Sequence, residues 1–186
     1  VASSKREQLI QTAQELFYRV GYHATGIDRI LAESGVAKMT LYKHFRSKDE
    51  LILAVLAARQ QVLLDQLQAL RQALPPRQAL LATFDGLHGL IHQADFCGCG
   101  FINAAAEFQD REHPIHRQAA ALKADFAAHF LELLRGLGLA QPQPLANQLQ
   151  FLLEGALSMA HLQGPANQAL EAKAAAELLL NGAARA

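Results

Sequence analysis

No apolar run in the 186 residues reaches the roughly 20 that a membrane-spanning helix needs. No charged-then-apolar leader stands at the start either, so the expectation is a cytoplasmic protein with no membrane partner. Proline is scarce, at six residues, and no sustained stretch alternates apolar with polar, which leaves helices favoured. There are two cysteines, Cys97 and Cys99, with a single residue between them. Zinc patterns space cysteines by about two to four residues, and a disulfide between such close neighbours would be strained. Inert, buried thiols are therefore expected; redox sensing, or metal binding with His88, His92, His113 and His116, is the alternative. No hydrolase elbow, phosphate loop, metalloprotease motif or paired-carboxylate arrangement stands out. The chain reads as no enzyme, needing no cofactor and no metal, and a helical enzyme built on the His/Cys cluster is the rival.

Net charge is also absent: 17 Lys and Arg balance 17 Asp and Glu, which taken alone argues against a nucleic-acid partner. The distribution argues the other way. Residues 1–50 carry eight cations against six anions, the remainder nine against eleven, and four of those eight cations fall within Lys38 to Lys48. Half of the residues are hydrophobic, and the length suffices to bury a core in one domain or two small ones.

What is present is concentrated between Thr25 and Phe45. Ile27, Ile30, Leu31 and Ser34 recur at helical spacing, and Gly35 stops that helix because the residue past a helix end often needs φ > 0. A second short helix follows near Ala37 to His44. Leu41 and Phe45, four apart, point inward, so Met39, Thr40 and Lys43 point away with Tyr42 and His44 flanking them. That outward face is too polar for a core and carries cations where a DNA groove would lie. The pattern is a helix-turn-helix with its recognition helix second.

The run Ile30-Leu-Ala-Glu-Ser-Gly-Val-Ala-Lys-Met-Thr-Leu-Tyr-Lys-His-Phe45, followed by Ser47-Lys-Asp-Glu-Leu51, closely resembles the DNA-binding segment of the TetR family of bacterial transcriptional regulators. The resemblance covers roughly the first quarter of the chain. Gly26 and Ala37 depart from it, standing where the family often has a hydroxyl, so a phosphate contact or a cap is missing at each. The resemblance implies a sequence-specific regulator, a repressor released from its operator by a small, mostly apolar ligand. It implies an all-α fold, with a three-helix headpiece over residues 1–47 and a helical ligand-binding and dimerisation domain over 48–186. The DNA partner is a near-palindromic duplex bound by a homodimer. Tyr42 and Lys48, with Thr25, are assigned to backbone phosphates. Lys38, Met39, Thr40 and Lys43 lie nearer the groove floor, with His44 open between the two roles.

Elsewhere the chain reads as a succession of helices. Ser4-Lys-Arg-Glu7 is a capping box that opens a helix to about Val20, striped by Leu9, Ala13, Leu16, Phe17 and Val20 and ended by Gly21. Lys5 and Arg6 at its start either touch phosphates or form a solvated helix end. Thr25 to Asp28 and Ser47 to Glu50 repeat the capping pattern. The second opens a long helix to about Leu74, along which Leu51, Val55, Leu56, Val62, Leu63, Leu67 and Leu70 recur before Pro75-Pro76 ends it. In the family such a helix joins headpiece to effector domain. Further helices are expected from Pro76 to about Gln93, from Phe101 to Phe108, and onward to about Leu134.

The last two helices are expected at about 144–163 and 165–184. The first is apolar on two sides, with Phe151, Gly155, Ser158 and Leu162 on the second, and the other carries a stripe of Ala169, Ala172, Ala176, Leu179 and Ala183. Two such helices from each of two subunits would make a two-fold interface, and ordinary core helices of a monomer are the alternative. Phe84, His88, Phe101, Asn103, Phe108, Phe126, His129, Phe130 and Glu154 form a candidate ligand pocket, apolar with a few polar groups. Taken singly, each of its polar members also fits a hydrogen-bonded core or surface residue.

Overall fold

A computed structural model of the chain describes residues 4–184. Nine helices and no strand lie among them: α1 (Lys5–Val20), α2 (Ile27–Ser34), α3 (Lys38–His44), α4 (Lys48–Ala73), α5 (Pro76–Ile91), α6 (Gly100–Glu107), α7 (Pro114–Arg135), α8 (Pro142–Gln163) and α9 (Gln168–Gly182). The helices pack as two units. The first comprises the residues up to Val62 together with Gly100–Leu122, and the second Leu63–Cys99 together with the residues from Lys123 onward.

In the first unit, local chemistry sets the helix ends. The Ser4 hydroxyl accepts the Glu7 N–H at 3.2 Å while the Glu7 carboxylate accepts the Ser4 N–H at 2.8 Å, so both halves of the capping box form. At α4 the Ser47 hydroxyl accepts the Glu50 N–H at 3.1 Å, but the Glu50 carboxylate reaches one residue further back, to the Arg46 N–H at 2.7 Å. Leu9, Ala13, Leu16 and Phe17 of α1 are buried with Ile30, Val36, Leu41, Phe45, Leu51 and Ile52. Val20 leaves this stripe and is exposed, as is Val62 on α4.

The second unit is built on α5, α8 and α9, with the parts of α4 and α7 that belong to it. Its core joins Leu80, Phe84, Leu87 and Ile91 to Phe130, Leu134, Leu149, Leu153 and Leu180. Alanines at 146, 156 and 160 of α8 and at 169, 172 and 176 of α9 are buried between them. The alanine stripe of α9 is buried in the core of the second unit, and Leu180, not Leu179, completes it. Arg71 pairs with Glu132, and Lys173 binds the Asp85 carboxylate at 2.7 Å. No helix among the described residues is long and apolar enough to cross a membrane.

Candidate nucleic-acid interface

The turn between α2 and α3 is made by Gly35, whose φ of +64° lies in the left-handed region, and its N–H returns to the Leu31 carbonyl at 3.0 Å. α1 fixes the turn from outside, where the Gln8 side-chain amide donates to the Ser34 carbonyl at 2.7 Å. Gly26 and Ala37 are the N-caps of α2 and α3, and neither offers a side-chain cap, in line with the two departures in the sequence. Inside the fold, α3 is anchored by Leu41 and Phe45.

That anchoring leaves one face outward. Met39 is 88% exposed; Lys38, Tyr42, Lys43 and His44 are exposed too, and Thr40 is half-buried. Lys38 lies 3.6 Å from Asp28, a solvated pair of little strength that leaves the ammonium available. The Arg6 guanidinium stands 5.4 Å over the Phe45 ring, at the end of the same helix.

Two predicted phosphate contacts sit differently. Thr25 is fully buried, and its hydroxyl donates to the Gly21 carbonyl at 2.7 Å. It closes the end of α1 instead of capping α2, a correction to the capping reading: with Gly26 between them, the hydroxyl reaches back to free carbonyls and not forward to free N–H groups. Lys48, at the start of α4, is half-buried and donates to the His23 carbonyl at 3.2 Å. Burial lowers its pKa from 10.5, opposed by the nearby carboxylates of Glu107 and Asp49.

Sequence reasoning missed the group around His23. Glu107, at the end of α6, accepts the backbone N–H groups of Tyr22 and His23, partners 85 and 84 residues away. Phe108, placed by the sequence in the ligand pocket, meets the His23 ring at a tilt, 4.6 Å between centres, and stacks on the His113 ring at 4.8 Å. Nothing in the local pattern signals either contact.

The remaining pocket candidates divide between the units. Phe101 is buried and Asn103 half-buried on α6 of the first. In the second, Phe84 and Phe130 stack at 6.1 Å, and His129 beside them is buried. The Thr83 hydroxyl donates to the Ala79 carbonyl at 3.1 Å, so at the 3.3 Å contact between His129 Nε2 and Thr83 Oγ1 the imidazole is the donor. Its Nδ1, like that of His88, has no partner among the described residues. Burial, and then the charge of Arg71, push the His129 pKa down from 6.5 to about 4, so the ring is neutral near pH 7. Glu154 binds Lys123 at 2.7 and 2.9 Å, and the same ammonium lies 3.4 Å from Cys99 Sγ and 6.0 Å from the centre of the Phe126 ring. Cys97 and Cys99 form no disulfide and are half-buried, not fully buried as expected, and no trio of His, Cys, Asp or Glu among the described residues is placed to hold a metal ion.

Comparison with known proteins agrees with this geometry. Residues 9–55 match the family described as bacterial regulatory proteins, tetR family. The HTH-type transcriptional activator FasR of Mycolicibacterium smegmatis is 43% identical over 88 residues, 47% of this chain and 40% of that protein. The HTH-type transcriptional regulator YjdC of Escherichia coli is 34% identical over 100 residues, 54% of this chain and 49% of that protein. The matches thus span less than half the length of these curated relatives. SCO4454, a TetR-family transcriptional regulator from Streptomyces coelicolor, superposes with a TM-score of 0.91 at 34% identity, covering 95% of this chain and 94% of that one. With the headpiece and the whole fold shared at that identity, the chain belongs to the TetR family of helix-turn-helix, DNA-binding transcriptional regulators, which are not enzymes.

Proposed function

We propose that the protein is a ligand-responsive repressor that binds a near-palindromic operator as a homodimer. In this reading residues 1–47 read the DNA, and residues 48–186 bind the effector and join the two copies. Lys38, Met39, Thr40 and Lys43 meet base edges, Tyr42 and Lys48 meet phosphates, and His44 lies at the margin. A buried Thr25 contributes by holding the end of α1.

The observation that carries the dimer is the outer face of α8 and α9. Phe151, Leu162 and Leu178 are 70, 77 and 73% exposed. Between the helices a groove runs past Gly155 and Met159 on one side and Gln168, Glu171 and Ala175 on the other. Burying a large apolar side chain contributes about 1.5–3 kcal/mol, so a few such residues on each copy supply much of a stable interface. Two headpieces held at a fixed distance then read two half-sites about one helical turn, or a multiple of it, apart.

The effector site is placed in the second unit, among Phe84, His88, Phe126, His129, Phe130 and Glu154. An apolar surround with a few buried polar atoms, two of them imidazole nitrogens without a partner among the described residues, suits a small, mostly apolar molecule. Phe101 and Asn103 remain candidates of the first unit.

Selection of duplexes from a random pool by the full chain, followed by transcription in vitro from a promoter carrying the selected site, tests this reading. Repression by the protein is expected. A rise in transcript would favour activation, the second reading, which the name of FasR as an activator supports. Selection of single half-sites by a monomer would sink the dimer.

A further inference from the structure

Glu107 ends α6 and is tied to a turn far away in sequence. One carboxylate oxygen accepts the Tyr22 N–H at 2.9 Å and the other the His23 N–H at 2.6 Å. His23 Nε2 donates back to the Glu107 carbonyl at 3.0 Å, and the Tyr22 hydroxyl donates to the Gly100 carbonyl at 2.9 Å, so both ends of α6 grip the same two residues. Gly21 makes room: its φ is +105°, and a Cβ there would come within 3.1 Å of the carboxylate.

This turn is also the seat of Lys48, whose ammonium donates to the His23 carbonyl at 3.2 Å. The neighbouring Asp49 carboxylate stands 3.5 Å from His113 Nε2, and the His113 ring stacks on Phe108, next in sequence to Glu107. Glu107, His23, Lys48, Asp49, His113 and Phe108 thus close a ring of contacts around the start of α4. A carboxylate that takes two backbone N–H groups, each a charge-assisted bond, fixes the turn more firmly than a neutral acceptor would.

We propose that Glu107 is a positioning residue for DNA binding: it holds the Tyr22–His23 turn so that the His23 carbonyl aims the Lys48 ammonium at a backbone phosphate. The inference rests on the reading of Lys48 as a phosphate contact. It also carries a sign that electrostatics alone does not. A carboxylate near a polyanion repels it, so deleting the charge should tighten binding. If Glu107 acts through Lys48, deleting it weakens binding instead.

The test uses the full chain and a duplex that the wild type has selected from a random pool. Affinity is measured over a range of salt for wild type, Glu107→Gln, Glu107→Asp, Lys48→Ala and the double variant Glu107→Gln/Lys48→Ala, with thermal midpoints alongside. Glu107→Gln keeps the size and loses the charge; Glu107→Asp keeps the charge and falls one methylene short. Each is expected to weaken binding roughly tenfold, the scale of one charge-assisted hydrogen bond. On the Lys48→Ala background the Glu107→Gln loss should vanish, because the group it positions is gone. Unchanged or tighter binding by either Glu107 variant would overturn the proposal. So would a tenfold loss that persists without Lys48, since it would mark a general effect on the fold. A wild type that selects no duplex would instead sink the DNA-binding reading itself.

Discussion

The imidazole of His129 has one nitrogen committed and one idle. Its Nε2 donates to Thr83, and its Nδ1 is buried, so a proton there is held away from bulk solvent with no acceptor among the described residues. The unfolded chain takes up this proton near pH 6.5, the folded chain only near 4. Stability is therefore full above about pH 6.5 and falls as acid is added, by about 3 kcal/mol at pH 4 from this residue alone. His129→Leu should remove that part of the acid slope, read from denaturant midpoints between pH 7.5 and 4.5; equal slopes in both proteins would clear His129 of the role. On the DNA face, residues separate by what they touch. Lys48→Ala should weaken every duplex alike and reduce the salt dependence by about one unit of slope. Met39→Ala should instead shift base preference, and an unaltered selection profile would remove Met39 from readout. Cys99 is a plain acceptor for Lys123, so Cys97→Ser with Cys99→Ser should leave operator affinity and its response to mild oxidant unchanged. An oxidant response present in wild type and absent from the double variant would make the thiols sensors.

At the scale of elements, the helix starts and stops that depend on near neighbours were legible. The Ser4 box, Ser47 before α4, Gly35 in the turn and Pro75-Pro76 after α4 act over a few residues, and each appears where local chemistry puts it. Thr25 shows how such a rule misleads. A hydroxyl three residues before a carboxylate looks the same whether it serves the next helix or the last one, and here the carbonyls of α1 claim it. Faces set by distant partners were harder to read. α9 begins at Gln168, and the choice of Leu180 over Leu179 for the core follows from α5 and α8, which the α9 sequence does not contain. Glu107 lay beyond reach for the same reason, since its partners stand more than eighty residues away. The outer faces of α8 and α9 give a prediction of their own. Phe151→Glu with Leu178→Glu should convert a dimer to monomer in sedimentation and weaken operator binding far more than half-site binding, with helical content kept. A dimer that survives both changes would place the interface elsewhere.

For the whole molecule, regulation requires that effector and DNA prefer different states of the protein. A ligand with equal affinity for both shifts nothing, however tightly it binds. A coupling of about 1–3 kcal/mol, roughly 5- to 150-fold, suffices for regulation. The expected result is reciprocal: a ligand that lowers operator affinity by some factor should itself bind more weakly to the DNA-bound protein by that factor. Calorimetry with and without the selected duplex measures both, and equal ligand affinity for the free and the DNA-bound protein would rule out such coupling. The exposed phenylalanine and leucines of α8 and α9 also bear on how the gene for this protein can be expressed. Where copies pair before they meet DNA and the pairing is weak, the dimer population grows as the square of the chain concentration. Doubling the gene dose would then raise the dimer supply about fourfold, and halving it would cut the supply to about a quarter. On the proposed dimer, the stickiness of one helix face would then set how sharply the regulated promoter registers small changes in the amount of its own regulator.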